Sequence, residues 1–95
     1  MCGSDYLDYI VGEKQYIEGY VSPKRAGETV VISSAPYEIT EEHSEIVINS
    51  DNCEINGNEF KALLSFEKEG NYVFKVTVHI GAEELIEKAY ICVSK

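Results

Sequence analysis

From Tyr72 to Ile80 apolar and polar side chains alternate along the chain. Tyr72, Phe74, Val76, Val78 and Ile80 fall on one parity, while Val73, Lys75, Thr77 and His79 fall on the other. A period of two predicts a strand with one face on a core, because a helix would scatter the same residues around its circumference. Phe60, Ala62, Leu64 and Phe66 repeat the pattern, with Leu63 as the exception. Asn56-Gly57 just ahead is a strong hairpin signal, with Cys53-Glu54-Ile55 as the short returning strand. Thr29–Ser33 is rich in β-branched side chains and predicts another strand, ending at Ser34-Ala35-Pro36 because proline has no N–H for a ladder. Glu45–Asn49 predicts a third strand, and Gln15–Val21, interrupted by Gly19, suits an edge strand with a bulge.

The segments between are turns by composition. Ser22–Glu28 holds proline and glycine, Ser50-Asp51-Asn52 and Glu67–Asn71 are polar, and Glu38–Glu45 reads as a solvated loop around His43. The last segment admits two readings. Ala89, Ile91 and Val93 alternate with Tyr90 and Cys92 as in a return strand, whereas Leu85, Ile86, Ala89 and Tyr90 would form one helical stripe. The strand is favoured, since the long strand ending at Gly81 needs a neighbour. Residues 1–14 lack a clear period and read as a flexible lead-in, leaving 15–95 as the folded domain. Several short strands separated by polar turns every eight to twelve residues predict an all-β sandwich. Two facing sheets hide both apolar faces, which a lone sheet without a helix cannot do.

The formal net charge of -9 repels phosphate backbones, and no basic cluster offsets it, so nucleic acid is not an expected partner. No apolar run reaches the length that spans a bilayer. Met1-Cys2-Gly3-Ser4 suits either an ordinary start or a mature lipoprotein, with Cys2 the lipid anchor of the full-length protein. The first reading leaves a cytoplasmic location open, and the second implies the cell surface. Cys2, Cys53 and Cys92 allow at most one internal bridge, and no spacing pattern supports Cys53 with Cys92.

Gly70-Asn71-Tyr72-Val73-Phe74-Lys75-Val76-Thr77-Val78 resembles the penultimate strand of the immunoglobulin-like β-sandwich domains of bacterial and phage surface proteins. The resemblance implies a Greek-key sandwich of about seven strands. It also implies that Tyr72 packs across one end of the sandwich and bonds back to nearby backbone. Phe74 stands where antibody-type domains have a cysteine, so the resemblance is to disulfide-free modules. It further implies that Thr29–Ser33 is the opposing strand, with Val30 or Ile32 facing the core, and that Ile46 or Ile48 fills the space of the family's buried tryptophan. Such modules are spacers or adhesion domains that bind protein or glycan, and extracellular or cell-surface placement follows.

No catalytic, cofactor or metal set stands out. A nucleophile needs an activating base, and neither Cys53 nor Cys92 has one in a recognisable pattern. His79 falls on the outward parity of its strand. His43 among Glu41, Glu42 and Glu45 is equally well explained as solvated surface. Asp51, Asn52, Glu54, Asn56, Asn58 and Glu59 are rich in oxygen ligands, but the position where a calcium loop needs its final acid is Leu63. The seven tyrosines are more suggestive, since tyrosine supplies rigid amphipathic contact area at interfaces. Tyr6, Tyr9, Tyr16 and Tyr37 are the candidate binding surface and Tyr72 the structural corner. The expected function is therefore a non-catalytic surface-protein module. The alternative is a free-standing acidic inhibitor or regulator that covers a basic protein surface.

Overall fold

The computed structural model describes residues 6–95. Eight strands follow in order: β1 (Tyr6–Ile10), β2 (Gln15–Tyr20), β3 (Pro36–Glu41), β4 (Val47–Asn52), β5 (Glu54–Asn56), β6 (Glu59–Leu64), β7 (Gly70–Ile80) and β8 (Glu83–Ser94). They form a five-stranded sheet in the order β1-β8-β7-β3-β4 and a three-stranded sheet in the order β2-β6-β5. β1 runs parallel to β8, and the other neighbours are antiparallel. No described segment is helical, so Leu85 to Val93 takes the strand reading.

The alternating segments place their apolar parity inward. Tyr72, Phe74, Val76 and Val78 of β7 are buried, as are Phe60, Ala62 and Leu64 of β6, and together with Ile17, Ile39, Ile91 and Val93 they form one core between the sheets. The β7–β8 ladder runs from Gly70↔Val93 to Ile80↔Glu83. At about 3.3 Å per residue, twelve residues reach about 40 Å, which accounts for the 45 Å long axis of a molecule 24 and 20 Å across the others. Two hairpins close through two-residue turns. Gly57-Asn58 joins Asn56 to Glu59, with φ positive (64°) at Gly57 alone, the type II′ pattern that suits the strands' twist. Gly81 (φ 58°) opens the corresponding turn between Ile80 and Glu83.

The structure corrects several of the expectations from sequence. Residues 6–10, read as part of a lead-in, belong to the fold: Tyr9 is buried, Val11 N–H donates to Ser94 O at 2.8 Å, and Gly12 N–H donates to Phe66 O at 2.9 Å. The β-branched stretch Thr29–Ser33 is not a strand. Its N–H groups go to different partners, Ile32 to Gly57 O (2.9 Å) and Ser33 to His79 O (2.8 Å), so it bridges the two sheets instead of extending either. Ile32 alone of this stretch is buried, and Val31 is exposed.

The expected loop Glu38–Glu45 instead contributes most of β3, which lies between β4 and β7. Pro36 is tolerated because it is the strand's first residue, and Tyr37 and Ile39 point inward between Glu38 and Thr40. Ile46 and Ile48, the two alternatives for one core position, are both exposed, and Tyr37 and Ile39 are the residues that pack beside Phe74. Ser50-Asp51-Asn52 continues β4 and makes no turn there. Finally, β2 is an edge strand as expected, but its ladder with β6 has no bulge at Gly19. The glycine answers a packing need, because a Cβ there would overlap the Phe60 ring directly across the ladder.

Candidate functional site

The four tyrosines expected to form one binding surface are separated by the fold. Tyr9 and Tyr37 are core residues, exposed by only 2% and 7%. Tyr9 packs edge-on against Phe66 with ring centroids 5.3 Å apart, and its hydroxyl donates to Gln15 O at 3.1 Å. Burial, then the nearby Glu13, pushes its hydroxyl pKa up to about 12. Tyr37 stacks on Phe74 at 5.1 Å, and burial raises its pKa as well. Tyr16 is exposed on the outer face of the small sheet, with Lys61 Nζ 4.6 Å from its ring centre. Only Tyr6 lies on the outer face of the large sheet.

Tyr72, expected at a corner of the sandwich, lies near the start of β7. Buried there, it packs on Phe66 with centroids 4.7 Å apart, and its hydroxyl donates to Lys68 O at 2.9 Å. Burial, followed by Glu41, raises its pKa. The bond ties the turn before β7 to the strand and satisfies a hydroxyl that would be costly to bury alone.

The register of the large sheet assembles a different group. Tyr6 pairs with Tyr90, Tyr90 with Val73, Val73 with Thr40, and Thr40 with Val47. These five side chains make one row across all five strands, about 19 Å long at about 4.8 Å per strand. The Tyr6 and Tyr90 rings meet edge to face at 6.0 Å, and Tyr90 and Val47 are each 43% exposed. Tyr6 is held from beyond β3: its hydroxyl lies 2.8 Å from both carboxylate oxygens of Glu42. The next row toward the β7–β8 tip is charged, with Lys88 beside Lys75 and Lys75 Nζ 3.4 Å from Glu38 Oε1. Sequence reading missed Tyr90 because its partners are far away in the chain. Its parity opposite Ile91 and Val93 was the available signal.

The remaining candidates are dispersed. His43, at φ 66° in the β3–β4 turn, is exposed with Nε2 3.5 Å from Glu42 Oε1, and His79 Nδ1 sits 3.6 Å from Glu84 Oε1. Among the described residues no three metal-ligating side chains converge, and Asp51 through Glu59 are spread along β4, β5 and the start of β6. Cys53 lies where the chain passes from one sheet to the other. It is a free, buried thiol, not bridged to Cys92, and burial with Asp51 nearby raises its pKa to about 11. Such a thiol is protonated at neutral pH and a poor nucleophile. Cys92 is half-buried on the outward parity of β8 and is not a free thiol. Cys2 lies outside the described residues. Among the described residues no helix is long and apolar enough to cross a membrane.

No protein-family profile and no curated protein matches the sequence. The fold is similar to that in a crystal structure of an engineered protein at 1.98 Å resolution, with a TM-score of 0.73 and 12% identity. The match covers 96% of this chain and 18% of that one, so this chain spans under a fifth of that protein's length. At such identity the likeness is one of fold alone. The described residues thus form an all-β domain of about eight strands in two sheets.

Proposed function

We propose that this chain is a non-catalytic immunoglobulin-like module, of the kind built into bacterial and phage surface proteins, and that it serves adhesion to a protein or glycan. The strand order supports the scaffold reading. On this reading β2, β6 and β5 correspond to the second, fifth and fourth strands of that fold, and β3, β7 and β8 to its third, sixth and seventh. The bond from Tyr72 to a carbonyl four residues upstream fits the corner of the sixth strand.

The observation that carries the adhesion role is the Tyr6–Tyr90–Val73–Thr40–Val47 row. A pure spacer gains nothing from a half-exposed aromatic and aliphatic row on an open sheet face, whereas a recognition face needs rigid tyrosines whose rings are already ordered. Tyr6 is so ordered, its ring by Tyr90 and its hydroxyl by Glu42.

The test is binding of a multivalent form of the domain to an array of glycans and purified surface proteins, repeated with Tyr90→Ala. A central aromatic contact is worth about 2 kcal/mol or more, so the variant loses about thirtyfold in affinity while its unfolding midpoint stays close to the parent's. Unchanged binding by the variant, or no binding by the parent to any glycan or protein offered, removes the adhesion role and leaves a spacer.

A further inference from the structure

The large sheet ends at β4, and among the described residues no strand lies beyond it. Every residue of β4 is exposed, and the apolar run Ile46-Val47-Ile48 at its start is 74%, 43% and 49% accessible. A strand edge offers N–H and C=O groups to any chain that can extend along it, and proteins usually guard such edges with lysine, proline or a bulge. β4 has neither lysine nor proline. Its one irregularity falls where Ile39 pairs with Asn49 and Thr40 with Val47, which leaves Ile48 as the extra residue. Asn49 to Asn52 is regular in its pairing with β3.

Charge narrows what can settle there. The 35 residues from Ala26 to Phe60, which include all of β3, β4 and β5, hold eight acids and no lysine or arginine. Glu38 already faces Lys75, but among the described residues no cation pairs with Glu45, just before the apolar run, or with Asp51, within the regular pairs. A second copy of this chain would bring its own charge of -9 and set these acids against themselves across a new ladder. A basic partner meets no such opposition.

We infer that the free edge of β4 receives an extended segment of another protein in which basic and apolar residues alternate, added as a sixth strand of the large sheet. The ladder supplies main-chain hydrogen bonds, the apolar side chains of the incoming strand lie along Val47 and its neighbours, and its cations face Glu45 and Asp51. This rests on the module reading proposed above and shares Val47 with the aromatic row but none of its tyrosines, so the Tyr90 and Asp51 variants tell failure of one reading from failure of the other.

The experiment is titration of the ¹⁵N-labelled chain with a capped nine-residue peptide that alternates lysine and valine. Amide shifts are expected to concentrate at residues 46–52. Binding should weaken as salt rises, and Asp51→Lys should weaken it about tenfold or more, since it turns an attraction at the edge into a repulsion. Glu87→Lys, an equal change of net charge on β8, should keep affinity within about twofold, which separates the local edge from the overall field. Should Asp51→Lys fail to fold, Glu45→Lys serves the same comparison. Tyr90→Ala should bind the peptide like the parent, whatever becomes of glycan or protein binding. Equal binding of a glutamate–valine peptide, shifts centred away from residues 46–52, parent-like affinity in the edge variants, or a dimer of the chain formed through β4 would each overturn the inference.

Discussion

Replacing Tyr72 by phenylalanine isolates one hydrogen bond in a site whose packing is otherwise unchanged. The ring is buried, stacks on Phe66 at a centroid distance of 4.7 Å, and keeps that contact in the variant. What is lost is the donation from the hydroxyl to Lys68 O at 2.9 Å. A typical internal hydrogen bond contributes about 1 kcal/mol net, and the Lys68 carbonyl, which belongs to an exposed turn, can turn to water when its donor is gone. The expected loss for Tyr72→Phe is therefore about 1–1.5 kcal/mol. For a domain of this size that lowers the melting temperature by about 5 °C. Tyr72→Ala removes the ring as well and should cost about 3–5 kcal/mol. Tyr20→Phe is the control, because Tyr20 is 70% exposed, and it should change stability by less than about 0.5 kcal/mol. Equilibrium urea unfolding reads all three, with the dependence on denaturant expected to stay constant so that midpoints compare directly. If Tyr72→Phe matches the Tyr20→Phe control, the corner bond contributes nothing and the account of how the turn is fastened to β7 is wrong.

Two further predictions concern packing and titration. Gly19→Ala places a methyl group where the Phe60 ring sits, so it should destabilise by about 1–3 kcal/mol, and the double variant with Phe60→Leu should recover part of the loss; an unchanged unfolding midpoint for Gly19→Ala would show that β2 stands off from β6 more than the structure indicates. The hydroxyl of Tyr9 and the thiol of Cys53 have folded-state pKa values raised to about 12 and about 11 from ordinary values of 10.0 and 9.0. Between each pair of values the folded state holds a proton that the unfolded chain releases, so stability is intact below pH 9 and falls as pH rises through 9 to 12. Each group contributes at most on the order of 3 kcal/mol. Cys53→Ala should remove the earlier part of the decline, and urea midpoints flat across that range would contradict the burial of both groups.

Much of this architecture can be read from local pattern. β6, β7 and β8 show their inward parity in their own residues, because a half-buried strand needs apolar side chains at every second position wherever its neighbours come from. The turns at Gly57 and Gly81 follow from conformations with positive φ that glycine adopts without strain. Tyr72 was singled out only through the resemblance to immunoglobulin-like strands, and its partner, Lys68 O, lies four residues away.

Other features depended on which segments found each other in space. Thr29–Ser33 has better strand propensity than Glu38–Glu41, yet the acidic stretch is the inner strand and the β-branched one spans the gap between sheets. Propensity measures how a side chain suits a pleated surface, whereas membership in a sheet is decided by whether both sides of the backbone find a ladder. The tyrosines make the same point. Tyr9 and Tyr37 are buried and Tyr90 is at the surface because the ladders β1–β8 and β3–β7 set which parity meets the other sheet. The row from Tyr6 to Val47 draws one residue from each of five strands scattered between the two ends of the chain. Spacing in sequence carries no trace of it, because a cross-strand row exists only once four registers have been chosen together.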